Sequence, residues 1–312
     1  MYSFGVDIGG MSIKIGLVDE NGHILEKRVI KTDTDPDLAI ENIAKQLNDI
    51  LEVKNITINE INGIGLGCPG AVDGSSGIID ILPNLGWENV EIEKKLKKYF
   101  NTKITFSNDA NVAVLAEVKY GCAKNYKNAL MFTLGTGVGG GIIIDGKLYE
   151  GNKCKGAELG HITLVLDGLP CTCGRKGCVE RYVSATALME QTKLAMQENK
   201  NSLMWKQVNG NINNVDGKTA FECCKQGDES AKLVVNTYVK YLAESMMNLF
   251  NIFRPEIFIL GGGISNQGQY LLDMVIEYCE KFNYGYLDTP KVKIAIATLG
   301  NDAGIIGASA LV

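Results

Sequence analysis

Apolar positions recur along this chain in two rhythms. Short apolar runs bounded by Gly, Asn or Asp read as strands, and apolar residues at three- and four-residue steps read as helices. Tyr2 to Val6 is such a run; Gly9-Gly10 interrupts it, Ile13 to Val18 resumes it, and Asp19-Glu20-Asn21-Gly22 closes it with a tight-turn signal. The opening is therefore predicted as strand, glycine turn, strand, turn, strand. After Asp35-Pro36, the positions Leu38, Ile40, Ile43, Ala44, Leu47, Ile50 and Leu51 predict an amphipathic helix with an Asp/Pro start. Ile61 to Leu66 predicts a strand that runs into Gly67-Cys68-Pro69-Gly70. Ile104 to Phe106 predicts a short strand and Ala110 to Val118 a helix.

The opening pattern then returns. Ala129 to Leu134 predicts a strand, Gly135 to Gly141 a glycine-rich turn, Ile142 to Ile144 a strand, and Asp145-Gly146 a hairpin turn. Asp7-Ile8-Gly9-Gly10 has its counterpart in Thr133-Leu134-Gly135-Thr136, about 126 positions on. A repeat of this kind predicts two similarly built α/β domains. Later, Ala231 to Phe253 predicts a long amphipathic helix ended by Arg254-Pro255. Ile257 to Leu260 predicts a strand running into Gly261-Gly262-Gly263, and a helix is expected near Tyr270 to Phe282. The apolar run Ile305 to Val312 is expected to pack back on the first domain. No low-complexity linker separates the halves, so the expected domains are residues 1–118 with about 300–312, and residues 119–299.

Length and composition narrow the function. The 312 residues suit two domains of roughly 150 residues each. The net charge is −5, with 31 basic against 36 acidic residues, which disfavours nucleic acid as a partner. No apolar run approaches the ~18 residues of a membrane span. Asp7 lies inside the first apolar run with no basic segment before it, so no secretory signal is expected. The expectation is a cytoplasmic protein whose nine cysteines are reduced thiols.

Three strand-to-glycine turns stand out: Gly9-Gly10 after Asp7, Gly135 to Gly141, and Gly261-Gly262-Gly263. Each is either a plain tight hairpin or a backbone cradle for phosphate oxygens. Three together, with Asp7 at the first, favour a nucleotide. Gly135-x-Gly137-x-x-Gly140 has the dinucleotide spacing, but that fingerprint must open a helix, and Ile142-Ile143-Ile144 is a strand pattern. A Walker A loop is also missing, because Ile212 stands where the first glycine would precede Gly217-Lys218-Thr219.

Two further segments carry chemistry. Ser107-Asn108-Asp109-Ala110-Asn111 joins a strand to a helix. It reads as a helix cap, or as a general base held by the positive end of the helix dipole; the two roles are compatible. Residues 156–180 bring together Gly156-Ala157-Glu158-Leu159-Gly160-His161 and Cys171-Thr172-Cys173-Gly174-Arg175-Lys176-Gly177-Cys178-Val179-Glu180. Three cysteines and a histidine suit a structural zinc, a Cys171–Cys178 disulfide or incidental thiols being the alternatives. Glu158 and Glu180 flank the cluster, so closing it would bring both carboxylates to one point, where they suit the hydroxyls of a sugar; otherwise they are solvated surface groups. His23 follows a turn and is expected to be exposed.

Val6-Asp7-Ile8-Gly9-Gly10, Ser107 to Asn111, Leu134 to Gly141, Glu158-Leu159-Gly160-His161 and Cys171 to Glu180 together resemble the ROK family over nearly the whole chain, and most of all its sugar kinases of the bacterial glucokinase type. The resemblance implies two actin-like (ribonuclease H-like) α/β domains with an interdomain cleft. It implies Asp109 as catalytic base, with Asn108, Glu158, His161 and Glu180 on the sugar hydroxyls and Gly70 and Asn84 as further sugar-side residues. It implies structural Zn²⁺ on His161, Cys171, Cys173 and Cys178. Asp7 would orient Mg²⁺ with the phosphates of ATP, on a turn with Gly9, Gly10, Ser12 and Lys14. Gly135, Thr136, Gly137 and Gly139 would cradle phosphate, and Gly261, Gly262 and Gly263 would lie at the adenosine end. The implied reaction converts ATP and a hexose, glucose first, into ADP and the 6-phosphate; fructose, allose and N-acetylmannosamine are the rival sugars. A homodimer is implied as well. The first phosphate motif departs from the family, with Met11 in place of Thr. The family also contains sugar-responsive repressors with an N-terminal helix-turn-helix, for which no room is expected before a strand at Tyr2.

Overall fold

The computed structural model describes residues 1–73, 76–82, 85–282, 284–285 and 289–312. Asn84, a predicted sugar-side residue, lies outside them. The chain divides into two compact units: Met1–Ala129 with Gly141–Ala157 and Thr298–Val312, and Leu130–Gly140 with Glu158–Ala297. Among the described residues, no helix is long and apolar enough to cross a membrane.

In the first unit, β1 (Tyr2–Ile8), β2 (Ser12–Val18) and β3 (Ile24–Lys31) form the antiparallel meander that the opening pattern predicts. α1 (Pro36–Lys54) begins where Asp35 accepts the N–H groups of Asp37 and Leu38 and where Pro36 needs no donor. Its buried face runs from Ala39 to Leu51. Leu38, expected in that stripe, is instead exposed, because at 100° per residue it falls on the helix face opposite the buried set, with Glu41 and Asn42 one turn on. β4 (Ile61–Cys68) then joins parallel to β1. A small antiparallel sheet follows, of β5 (Ala71–Asp73), β6 (Ile78–Leu82) and β7 (Trp87–Val90), with the short α2 (Ile92–Leu96) behind it. β8 (Ile104–Asn108) pairs parallel with β4, and α3 (Asp109–Tyr120) leaves its end. The main sheet has the order β3-β2-β1-β4-β8.

The second sheet contains β9 (Ala129–Leu134), β10 (Val138–Ile144), β11 (Lys147–Leu148), β12 (Ile257–Gly261) and β13 (Lys293–Ile296) in the order β11-β10-β9-β12-β13. In each sheet the third strand lies beside the second, then the first, fourth and fifth. This is the repeat anticipated from the glycine turns, and its order is that of the actin-like (ribonuclease H-like) α/β fold. The second unit adds α4 (Glu180–Val183), α5 (Ala185–Glu198), α6 (Leu203–Gln207), α7 (Thr219–Lys225), α8 (Glu229–Phe253) and α9 (Gln269–Phe282). Asp228 caps α8 through the Ala231 N–H, and Arg254 ends it in the left-handed conformation. The α8 face buries Val235, Tyr238, Leu242, Met246 and Phe250; Phe258 of β12 meets the rings of Phe132 and Phe250 edge-on at 5.0 and 5.7 Å.

The last helix, α10 (Ala303–Ser309), belongs to the first unit and lies on β1 and β4. Gly5 and Gly65 on those strands make that approach possible. A Cβ on Gly5 would stand 1.9 Å from the Ile305 carbonyl oxygen, and one on Gly65 1.8 Å from that of Ala308. Gly65→Ala must push the helix off the sheet. Chemical denaturation of that variant is expected to show a loss of about 3 kcal/mol; an unchanged midpoint would mean that α10 is not seated there.

Candidate functional site

The functional side chains of the first unit collect at the carboxyl ends of three neighbouring strands. β1, β4 and β8 are parallel, and their register places Asp7 opposite Gly67, Gly67 opposite Ser107, and Cys68 opposite Asn108. Ligands of α/β sheets bind at such strand ends. The Cys68 thiol is fully buried there. Burial, and then the fields of Asp109 and Asp7, drive its pKa far upward.

Asp109 opens α3 and is exposed. The cap reading of this corner holds. Asn108 is the cap, its Oδ1 accepting the Ala110 N–H at 2.9 Å, while Asp109 Oδ1 also receives that N–H at 2.8 Å. Asn108 Nδ2 donates to the Gly70 carbonyl at 3.2 Å, which ties two predicted sugar-side residues together. Ser107 donates to Glu150 and receives the Asn111 amide at 3.2 Å, so the corner carrying Asp109 is fastened from behind. Sequence reading missed Glu150. It lies 43 positions from Ser107, and no local signal connects them.

Asp7 accepts from Lys14 Nζ at 3.1 Å. The Gly9 N–H closes its turn on Ser12 O at 3.0 Å, and Thr32 Oγ1 donates to Gly9 O at 2.7 Å. Gly10 and Met11 form the exposed tip, with Met11 88 % accessible; Ser12 begins β2.

In the second unit the corresponding turn is shorter than expected. Gly135 N–H bonds to Gly137 O at 3.0 Å, so the reversal is complete in three residues and β10 starts at Val138. Gly139 is therefore a strand residue and not part of a loop from Gly135 to Gly141. The exposed Thr136 gives its carbonyl to Thr186 Oγ1 at 2.8 Å. Gly261 ends β12, and Gly262 and Gly263 are exposed beyond it.

His161, Cys171, Cys173 and Cys178 converge, with one ligand atom from each lying within 4.8 Å of all the others. Cys173 Sγ is 3.6 Å from Cys178 Sγ, and Cys171 Sγ is 3.6 Å from His161 Nδ1. A tetrahedral zinc with ligands at about 2.0–2.3 Å needs donors spaced by roughly 3.3–3.8 Å, so this donor set fits the ion. No disulfide joins Cys171, Cys173 and Cys178. Backbone bonds set the knot: Cys171 N–H to Arg175 O at 2.9 Å, Gly174 N–H to Cys171 O at 3.0 Å, and Leu164 N–H to Gly177 O at 2.7 Å. The Arg175 guanidinium holds the other side, on His161 O at 3.1 Å and Thr163 Oγ1 at 2.7 Å. The sequence pattern includes Arg175 but gives it no role. The Arg175 backbone N–H lowers the Cys173 pKa, whereas burial pushes Cys178 up to about 12.

Glu180 is turned toward the knot. Its Oε1 lies 3.8 Å from Cys171 Sγ, and its Oε2 accepts the Val138 N–H at 3.0 Å, beside the 135–137 turn. Glu158 precedes His161 by one turn, its carbonyl accepting the His161 N–H at 3.0 Å and its side chain exposed. His23 is exposed, paired with Asp19 at 3.1 Å.

The ROK family model matches residues 3–312. A glucokinase of Thermotoga maritima is 35 % identical over 99 % of this chain and 96 % of its own length. A xylose repressor of Caldicellulosiruptor bescii is 28 % identical over 99 % of this chain and 77 % of its own length. The crystal structure of a ROK family glucokinase from Streptomyces griseus in complex with glucose and AMPPNP superimposes with a TM-score of 0.83 at 31 % identity, covering 100 % of this chain and 99 % of that one. With its motifs, its repeated sheet and these relatives in agreement, the chain belongs to the ROK family.

Proposed function

We propose that this protein is a sugar kinase that moves the γ-phosphoryl group of ATP to the 6-hydroxyl of a hexose, with glucose the preferred acceptor. The observation that carries the reading is the placement of Asp7 and Asp109 at the ends of parallel strands, on either side of buried Cys68. The glucokinase relatives in the same family support it.

Asp109 is the general base. Its carboxylate takes the proton of the 6-hydroxyl as that oxygen attacks the γ-phosphorus in line and ADP leaves. The cap at Asn108 and the Ser107–Glu150 bond hold Asp109 in one direction, so little reorientation remains at the moment of reaction. Asn108, Gly70, Glu158, His161 and Glu180 read the sugar hydroxyls. Because His161 directs Nδ1 to the cysteines, Nε2 is the nitrogen left for the sugar. Asp7 and Lys14 serve the phosphates, which the glycine turns at Gly9-Gly10 and Gly135 to Gly137 cradle; Gly261 to Gly263 serve the nucleoside end. Asp7 would hold Mg²⁺ together with the substrate phosphates, where the ion would supply charge neutralisation to the phosphoryl group. Met11 offers no hydroxyl, so phosphate contacts at that turn come from the backbone.

An ADP-release assay over glucose, fructose, allose and N-acetylmannosamine tests this. Glucose is expected to give a kcat/KM at least about tenfold above the others, since one misplaced hydroxyl leaves polar groups unpaired. A higher value for another sugar reassigns the acceptor, and ADP release that no sugar stimulates removes the kinase.

A further inference from the structure

Glu117, near the end of α3, is a carboxylate with no access to solvent. An ionised group in such a place is costly unless hydrogen bonds surround it. Its Oε1 accepts the backbone N–H groups of Thr298 and Leu299, each at 2.8 Å. Its Oε2 accepts the Cys122 N–H at 2.9 Å and the Thr298 hydroxyl at 3.0 Å. Three of these bonds come from one short segment 181 or 182 positions away. That segment leads through the single turn Gly300–Asp302 into α10. On it, Asn301 O accepts from Lys14 Nζ at 3.4 Å, and Asp302 pairs with Lys27. Gly304 presses on the Asp7 carboxylate so closely that a Cβ there would stand 2.5 Å from Asp7 Cγ.

We infer that Glu117 is a positioning residue for the nucleotide. It fixes residues 298–304, and that segment sets the Asp7 carboxylate and the Lys14 ammonium at the phosphate end of the site. The inference rests on the reading of Asp7 and Lys14 as phosphate-side groups. A buried carboxylate receiving four donors is a stiff anchor, and errors of about 1 Å in the groups that would receive the metal-bound phosphates are expensive.

Glu117→Gln keeps the volume and turns one acceptor into a donor that faces other donors. Titration calorimetry with Mg·AMPPNP, without sugar, is expected to show a Kd about tenfold weaker than in the unaltered protein. The KM for MgATP should rise alike while the KM for glucose stays within about twofold. A drop in thermal stability alone, or both KM values rising together, would mean a merely structural role and overturn the inference. Should Glu117→Gln fail to fold, Thr298→Val removes only the hydroxyl bond and is expected to weaken Mg·AMPPNP about two- to threefold; unchanged affinity there overturns the inference too. Unaltered protein that binds no Mg·AMPPNP would overturn the kinase reading itself, and this inference with it, whereas unaltered binding with an unresponsive Glu117 variant sinks the inference alone.

Discussion

Asp109→Asn is expected to lower the turnover of glucose phosphorylation by about 10²–10⁴-fold, or roughly 3–5 kcal/mol of barrier. The substitution is nearly isosteric, and an amide oxygen still accepts the Ala110 N–H that Asp109 Oδ1 receives at 2.8 Å. The start of α3 and its Asn108 cap should therefore survive. What disappears is the ability to take a proton. KM for glucose and for MgATP should stay within about threefold, because the carboxylate acts mainly on the transition state. Single-turnover kinetics separate this from slow product release. A variant that turns over near the unaltered rate would remove Asp109 from the mechanism.

Removal of the zinc that we propose for the His161, Cys171, Cys173 and Cys178 knot is expected to act on the other substrate. The unaltered protein is expected to carry one equivalent of zinc per chain by mass spectrometry; prolonged chelation, or Cys178→Ala, should reduce it to a trace and raise the KM for glucose by about 100-fold or more. The segment from Glu158 to Glu180 is mostly loop, with only a single turn at Leu159–His161 before α4. Backbone bonds also close this loop, but structural zinc in small domains supplies about 10–16 kcal/mol of apparent binding energy, and only the ion would tie all four side chains to one point. Glu180 touches the knot through Cys171 and the 135–137 turn through Val138, so a loosened knot misplaces its carboxylate directly. His161 loses the partner that fixes its ring. Binding of Mg·AMPPNP without sugar should change much less. Metal-free protein with unaltered glucose affinity would contradict the proposed link between metal and sugar.

Much of this site was legible before any coordinates. The glycine turns, the Asn-Asp helix start and the Cys/His cluster are local devices, each dictated by a few adjacent residues. Their failures are instructive. The loop expected over Gly135 to Gly141 is a three-residue turn, because composition marks glycine as permissive without saying which glycines a ladder will recruit. The small sheet of β5 to β7 escaped notice because its strands have three to five residues and no sustained alternation. Leu38 enters the expected stripe because it is apolar, yet it is out of phase with the residues that the helix buries.

By itself, then, the sequence determined which residue types were present and what backbone each short stretch would adopt. Dihedral preference, capping and ligand chemistry act within a few positions, so a local reading reaches them. Only the tertiary structure decided who meets whom. Asp7 and Asp109 come to share Cys68 through parallel register; Ser107 finds Glu150, and Glu117 finds Thr298 from the far end of the chain. Those meetings follow from burial, a non-directional force summed over many side chains, and no single residue announces its outcome in advance.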